Sequence, residues 1–188
     1  PKESQDDLEK KLYLTRRRIE NKIKALNIND FYICSLSTET IVYKGMFLAE
    51  QLSEFYTDLL DPDFKSKFAI YHQRYSTNTF PTWSLAQPFR VLAHNGEINT
   101  LKGNINWMSA HEPRITHPFF NERINDLKPI LDSDASDSAS LDGAFELMVQ
   151  TDRDMPMAKS MIIPEAWSNR SDIPEKLKDM YAYCNAVI

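Results

Sequence analysis

Apolar residues recur at helical spacing near the start of the chain. The residues at this spacing are Leu8, Leu12, Ile19, Ile23 and Leu26. Intervals of three, four or seven residues place side chains on one face of an α-helix. Ser4 stands before this stripe with Asp7 three residues later, a pattern typical of a helix N-terminus. The pattern therefore predicts an amphipathic helix over residues 6–26.

Four short segments carry patterns typical of β-strands. They are residues 31–37, 40–46, 67–77 and 89–94. The first two are separated by a short turn, which predicts a hairpin. The third alternates, so that Phe68, Ile70, His72 and Arg74 share one face of the predicted strand.

Helical spacing returns in the later part of the chain. Helices are predicted over residues 47–60, from Ile98 to Met108, after the polar turn at 132–138, and over 156–163 and 174–184. In the helix after the polar turn, Leu141, Phe145 and Met148 are the predicted buried positions. Strands that come early in hairpins and helices that come late favour an α+β fold, in which sheet and helix layers pack face to face.

Composition narrows the class of protein. The chain has 188 residues, 42% of them hydrophobic and 26% charged, which suits one globular domain. A net charge of −5 gives no basic footprint for nucleic acid, and no apolar stretch reaches the roughly 20 residues that span a membrane. The N-terminus lacks the apolar core of a secretory signal, and two distant cysteines favour a reducing compartment, the cytoplasm.

Metal-binding patterns are weak in this sequence. The four histidines form no HxxxH or HExxH pair, which argues against zinc. The segment DSDASDS, residues 132–138, looks like a calcium loop. An EF-hand loop needs Gly at its sixth position and Glu at its twelfth, where this chain has Asp137 and Gly143. The sequence therefore predicts no metal site.

Asn95-Gly96 follows the last predicted strand and has two interpretations. An Asn-Gly pair between strands is a strong signal for a hairpin turn. The residues that follow have helical spacing, however, so the pair is also consistent with a strand that enters a helix. There the Asn amide, the Gly backbone N–H and the helix N-terminus could stabilise an oxyanion. Spacing alone leaves both interpretations open.

Two further places offer charged groups to a ligand. Arg74 ends a predicted strand and could bind a carboxylate in a bidentate manner, with Thr77 and Asn78 as neutral hydrogen-bonding neighbours. It could equally form a surface ion pair. Asp137, at a predicted helix start, could bind a substrate ammonium or take part in helix capping.

Taken in order, these segments resemble one known family. YHQRYSTNTFPTWSLAQPFRVLAHNGEINTLKGNINWM, residues 71–108, closely resembles the class II glutamine amidotransferase domain of glutamate synthases. SLSTETIVYKGM, LDSDASDSASLDGAFELM and MIIPEAW continue the resemblance in the same order. The resemblance implies an N-terminal-nucleophile hydrolase fold: a four-layer αββα sandwich, incomplete here, with residues 1–188 as part of one such domain.

The resemblance also implies a reaction. An N-terminal cysteine attacks the side-chain amide of L-glutamine and forms a γ-glutamyl thioester. Water then releases glutamate, and the ammonia passes to a flavin site that makes glutamate from 2-oxoglutarate. No cofactor is expected in this segment, whereas the full enzyme is expected to carry FMN and an iron–sulfur cluster. The expected partners are the remaining domains of the same polypeptide and an electron-donor subunit or ferredoxin, in the cytoplasm or a plastid.

Roles for individual residues follow from the same resemblance. Arg74 corresponds to the clamp for the α-carboxylate of glutamine, with Thr77 and Asn78 in the same pocket. Asn95 and Gly96 correspond to the oxyanion hole, and Asp137 to the partner of the α-ammonium.

The chain departs from the family pattern at the nucleophile. It begins with Pro1 instead of Cys, which predicts a fragment that hydrolyses no glutamine. The alternative is a non-catalytic amino-acid-binding regulatory module that kept the pocket. A third interpretation, Pro1 as a catalytic amine, fits poorly because PKESQDD is charged instead of apolar.

Overall fold

A computed structural model describes residues 4–73, 80, 82–96, 98, 101–132 and 135–187. The α-helices in these ranges are α1 (Gln5–Ala25), α2 (Leu52–Phe55), α3 (Lys102–His111), α4 (Asp137–Gln150), α5 (Met155–Ile162) and α6 (Glu175–Val187). Shorter 3-10 helices are Ala49–Gln51, Thr57–Leu60, Trp83–Leu85, Glu112–Arg114 and Asn121–Leu127.

Helix α1 confirms the predicted helix at the start of the chain. The Ser4 hydroxyl accepts a hydrogen bond from the Asp7 N–H at 3.1 Å, so the sequence-level cap is present. The buried face is rotated from the predicted one, because Ile19 and Leu26 are exposed while Tyr13 and Leu14 are buried.

The hydrophobic core lies where α1 meets α4 and the 3-10 helix Asn121–Leu127. Its buried members are Tyr13, Leu14, Phe120, Ile124, Leu127, Ile130 and Leu147. The Tyr13 and Phe120 rings meet edge to face with centroids 6.1 Å apart. Packing of α1 on residues more than a hundred positions away gives the described part of the chain one tertiary core.

The predicted strands are absent from the described residues. Residues 31–37, 40–46, 67–73 and 89–94 carry no strand, so the described residues do not confirm the predicted four-layer αββα sandwich. The first two segments do approach each other, but Val42 donates its N–H to the side chain of Ser35 at 3.0 Å. Alternating polarity marks which residues share a face, whereas a strand also requires a backbone partner for its ladder.

The absence of a ladder leaves apolar side chains uncovered. Phe68, Ile70 and Tyr71 are 75%, 58% and 81% exposed. They belong to the third predicted strand, where alternation was clearest. In the described residues, these alternating apolar side chains therefore lie on the surface, and no second layer packs over them.

The later helices agree with the predictions in type, with shifted ends. Helices α4, α5 and α6 begin and end within a few residues of the predicted ranges. The helix predicted over 47–60 is split into α2 and two 3-10 helices. In α4, Phe145 is buried as predicted, while Leu141 and Met148 are half-buried and Leu147 is buried.

A stripe of polar residues also lies buried on α4. We call Ser138, Asp142 and Glu146 the polar stripe; they follow one another at four-residue intervals and are at most 8% exposed. Glu146 accepts a hydrogen bond from the guanidinium of Arg16, which is only 2% exposed. Arg16 also donates to Glu20 at 2.7 Å, so this buried guanidinium is paired with carboxylates of both α1 and α4.

Glu20 extends this charge network to the segment that precedes Asn95. The Arg90 guanidinium donates to Glu20 at 2.6 Å and to the carbonyl oxygen of Ile33, also at 2.6 Å. Its planar group lies over the Tyr32 ring, 4.4 Å from the centroid. The network thus ties residues 32–33 and residue 90 to α1.

Lys44 is a buried cation outside this network. It is 4% exposed, and its Nζ lies 4.4 Å from the Phe89 ring centroid and 4.8 Å from that of Tyr32. The ammonium donates to the carbonyl oxygen of Ser84 at 3.0 Å. Because burial disfavours its charged form, the pKa of Lys44 falls to about 8.

Candidate functional site

Asp142 fixes the backbone of the segment that leads to Asn95. Its Oδ1 accepts hydrogen bonds from the N–H groups of Val91 at 2.9 Å and Leu92 at 3.0 Å, and its Oδ2 from the N–H of Arg90 at 3.3 Å. Burial, reinforced by the nearby charge of Glu146, raises the pKa of Asp142 to about 6, although these backbone donors oppose the shift. One buried carboxyl group of α4 therefore satisfies three consecutive backbone N–H groups.

His94 continues the attachment of this segment to α4. Its backbone N–H donates to Gln87 Oε1 at 2.9 Å, and its Nε2 lies 2.7 Å from the Ser138 hydroxyl. Its Nδ1 accepts a hydrogen bond from the Gly96 N–H at 3.1 Å. The imidazole consequently joins Gly96 to the first turn of α4.

The geometry at Asn95-Gly96 decides against the hairpin interpretation. Neither residue has a positive φ, whereas a type I′ turn requires positive φ at both central positions. Both residues are exposed. A Cβ added to Gly96 would lie 3.7 Å from His94 Nδ1, an ordinary contact, so this conformation does not itself demand glycine.

The predicted helix N-terminus is not at Gly96. Helix α3 begins at Lys102, and its N-cap, Leu101, makes no side-chain capping bond. Apolar spacing extended the prediction back to Ile98, but that residue lies outside the helix. The influence of a helix dipole falls off within one turn, so the dipole of α3 does not contribute to the predicted oxyanion site.

Asp137 is the first residue of α4 and is half-buried. The capping role belongs to its neighbour Ser136, whose hydroxyl accepts from the Ala139 N–H at 3.2 Å. Asp137 Oδ1 accepts from the Ser138 N–H at 2.6 Å and from the Ser138 hydroxyl at 3.1 Å. Because Ser138 also contacts His94, the structure brings Asp137 and Gly96 to one place.

A cavity of about 200 Å³ opens beside this cluster. Its lining residues are Ile70, Tyr71, His72, Gln87, Pro88, Ala93, His94 and Asn95. Asn95 and His94 thus face a space that also borders the segment before Arg74. Arg74, Thr77 and Asn78 themselves lie outside the described residues.

The two cysteines are poorly suited to nucleophilic attack. Burial raises the pKa of the half-buried Cys34 thiol, which lowers its thiolate fraction at neutral pH. Cys184 is 2% exposed within α6. In the described ranges no three His, Cys, Asp or Glu side chains cluster as a metal site would require. No helix in those ranges is long and apolar enough to cross a membrane.

His94, Ser138 and Asp142 were not singled out from the sequence, and one signal could have found two of them. Ser138 and Asp142 stand four residues apart on a helix whose apolar positions were already assigned to the core. Polar residues that share the buried side of a helix need partners, which points to a polar contact with another segment. His94 had only its position beside Asn95 as a signal.

Comparison with known proteins agrees with the resemblance that the sequence motifs carry. The whole chain, residues 1–188, matches the family described as glutamine amidotransferases class-II. The chain is 60% identical over 185 residues to the NADPH glutamate synthase large chain of Azospirillum brasilense, covering 98% of this chain and 12% of that protein.

Two further relatives give the same picture. The ferredoxin-dependent glutamate synthase of Pyropia yezoensis is 48% identical, and the NADPH glutamate synthase large chain of Bacillus subtilis is 47% identical. Each alignment covers 96% of this chain and 12% of the relative, so the chain spans about an eighth of the length of these proteins. The match over all 188 residues places the chain in the class II glutamine amidotransferase family.

Proposed function

We propose that this chain supplies the glutamine-binding and oxyanion-hole part of the site at which a glutamate synthase hydrolyses glutamine. The identity of 60% to a glutamate synthase large chain supports this choice within the family. The observation that carries it is the hydrogen-bonded cluster of Gly96, His94, Ser138 and Asp137 beside a cavity of about 200 Å³. This cluster connects Gly96, to which the family pattern gives an oxyanion role, with Asp137, to which it gives the binding of the α-ammonium.

The substrate is a zwitterion, so its recognition needs one cationic and one anionic group. Asp137 offers a half-buried carboxylate for the α-ammonium. Arg74 offers a guanidinium for the α-carboxylate, which it can bind with two parallel hydrogen bonds. Thr77 and Asn78 add neutral hydrogen-bonding groups to the same pocket.

The oxyanion of the tetrahedral intermediate needs donors aimed at its oxygen. Asn95 provides a side-chain amide at the cavity, and Gly96 provides a backbone N–H next to it. Removal of one such donor typically costs about 10²–10³ in turnover. These two groups are the catalytic contribution that we assign to this chain.

The nucleophile is a cysteine thiol whose proton is taken by its own α-amino group, which leaves the reactive thiolate. The thiolate attacks the side-chain amide carbon of glutamine. The amide nitrogen takes up that proton and leaves as ammonia, and a γ-glutamyl thioester remains. Water then cleaves the thioester to glutamate and regenerates the thiol. We assign this role to neither Cys34 nor Cys184, because burial disfavours the thiolate of one and encloses the other in α6.

The ammonia is then used in the rest of the enzyme. There it is channelled to a flavin site, where 2-oxoglutarate is converted to a second glutamate with electrons from a pyridine nucleotide or ferredoxin. The expected FMN and iron–sulfur cluster belong to that part. An iron–sulfur cluster is held by several cysteine thiolates. This chain has only two cysteines, far apart in the sequence, so its residues do not fit such a cluster.

The family supports the N-terminal-nucleophile fold as the setting of this site. We propose that residues 1–188 form part of one such domain, and that their extended segments pair with further strands in the αββα sandwich. The exposed apolar side chains of residues 68–71 support this proposal, because a second sheet layer would cover them.

The experiment is an assay of ammonia release from glutamine by the full-length protein that contains these residues. Asn95→Ala should lower kcat by about 10²–10³ with little change in KM, since the amide contacts the oxyanion only. Arg74→Ala should chiefly raise KM. Asn106→Ala, an exposed asparagine of α3, is the matched control and should leave both values unchanged.

Two results would contradict the proposal. Equal turnover by Asn95→Ala and the wild type would remove the oxyanion role. Glutamine hydrolysis by the isolated 188-residue chain, lost on Arg74→Ala, would show that these residues already hold a nucleophile.

A further inference from the structure

The imidazole of His94 has a defined tautomer, assigned from its hydrogen bonds. A backbone N–H can only donate, so the 3.1 Å contact from Gly96 places an unprotonated Nδ1 on His94. The ring proton is then on Nε2 and is donated to the Ser138 hydroxyl at 2.7 Å. Ser138 in turn donates its own hydroxyl proton to Asp137 Oδ1 at 3.1 Å.

These three contacts form a chain in which every donor points the same way. It runs from the Gly96 N–H through His94 and Ser138 to the carboxylate of Asp137. Hydrogen bonds arranged in this manner polarise one another, so a change in charge at one end alters the strength of the bond at the other. The ends of this chain are the two groups assigned above to the substrate's reacting carbonyl and to its ammonium.

The backbone that carries the His94 ring is held beside α4. The backbone N–H of His94 is bonded to Gln87, and the N–H groups of Val91 and Leu92 just before it are bonded to the buried Asp142. Ser138 lies in the first turn of α4 and is 8% exposed. Both sides of the His94–Ser138 contact are thus fixed to α4.

We propose that His94 is a positioning residue that makes the oxyanion donor of Gly96 depend on occupancy of Asp137 by the substrate's α-ammonium. This inference rests on the proposed function. With Asp137 unoccupied, its full negative charge strengthens the chain, and the single proton of the Gly96 N–H is engaged by His94 Nδ1. An ammonium bound at Asp137 draws on the same oxygen lone pairs, weakens each bond in turn, and makes the Gly96 N–H available to the developing oxyanion.

The coupling separates turnover from binding. A substrate that lacks the α-amino group loses a contact at Asp137, which by itself raises only KM. If His94 couples the two ends of the chain, the deamino substrate reacts while the Gly96 N–H is still bonded to His94. Its kcat is then lowered as well. We expect the kcat for 4-carbamoylbutanoate, which is glutamine without its α-amino group, to be about tenfold to a hundredfold below that for glutamine.

The test compares the ratio of kcat values for these two substrates, by ammonia release, in the full-length protein and three variants. Ser138→Ala removes the relay, and His94→Asn keeps an acceptor near the Nδ1 position without an atom in place of Nε2. In both variants the ratio should fall to near one. Without the relay the charge of Asp137 no longer strengthens the Gly96–His94 bond, so turnover of the deamino substrate rises towards that of glutamine. Ser140→Ala is the matched control: it removes a buried hydroxyl of the same helix that has no hydrogen-bond partner among the described residues, and should keep the wild-type ratio.

Two outcomes are decisive against the proposal, and a third is decisive against the proposed function. Equal kcat values for the two substrates in the wild type would overturn it without any variant. A folded Ser138→Ala or His94→Asn protein that keeps the wild-type ratio would also overturn it, with folding checked by circular dichroism. A wild type that releases no ammonia from glutamine would instead overturn the proposed function, so the two failures are distinguishable.

Discussion

The buried carboxyl group of Asp142 makes a specific prediction about pH. Its folded-state pKa of about 6 lies above the ordinary value of 3.8, chiefly because burial disfavours the charged form. The folded state therefore binds the proton more tightly than the unfolded state. The stabilisation is fully present below about pH 4 and is lost as the pH rises through about 6.

The magnitude follows from the size of the shift. A difference of about 2 pKa units at about 1.4 kcal/mol per unit corresponds to about 3 kcal/mol of stability lost between pH 4 and pH 7. Asp142→Asn keeps an oxygen for the N–H groups of Val91 and Leu92 but cannot ionise. The free energy of unfolding of the wild type minus that of Asp142→Asn should thus fall by about 3 kcal/mol across this range.

The assay is urea denaturation at several pH values from 4 to 7, followed by circular dichroism. Asp179→Asn, which removes an exposed negative charge on α6, controls for the change in net charge. A difference that stays constant with pH would refute the reasoning. A difference that rises with pH would show that the three backbone donors outweigh burial and favour the ionised carboxylate.

Three further predictions concern other buried or capping groups. Glu146→Gln should lower the free energy of unfolding by about 2–3 kcal/mol in urea denaturation, because the buried Arg16 keeps only Glu20 as a charged partner; an unchanged midpoint would contradict this. Ser136→Ala should cost about 1 kcal/mol, since it removes the cap of α4, and a loss below about 0.3 kcal/mol would count against that role. Cys184 should react with a thiol reagent only after unfolding, whereas equal native rates for both cysteines would show that α6 opens readily.

The sequence predicted helices better than strands for a physical reason. A helix satisfies its backbone within one segment, so the periodicity of α1 and the polar turn before α4 were sufficient signals. A strand depends on a neighbour, and alternation in residues 67–73 could not say which backbone would pair with it. Helix α3 is an intermediate case. A helix was correctly predicted, but its predicted start, Ile98, lies before the observed start at Lys102.

The sequence named residues for the candidate site but not the contacts between them. The family motifs singled out Asn95, Gly96 and Asp137 as separate groups along the chain. That Gly96 and Asp137 share one hydrogen-bonded cluster depends on the rotation of α4, which brings Ser138 to His94. Spacing within α4 was used to assign the apolar face, and the four-residue interval between Ser138 and Asp142 was the one signal for a buried polar stripe beside that face.

The rate of chemical modification of Lys44 can report how often this region opens. Acylating reagents attack only a neutral amine that they can reach, and the pKa of about 8 belongs to the enclosed amine, so opening returns Lys44 to the reactivity of an exposed lysine. The enclosure of the ammonium between Phe89 and Tyr32 excludes the reagent as long as those rings stay in place. The rate at which Lys44 becomes acylated, followed by mass spectrometry of its peptide, would then measure how often the layer around Phe89, adjacent to the Asp142-bonded backbone, separates in the native protein.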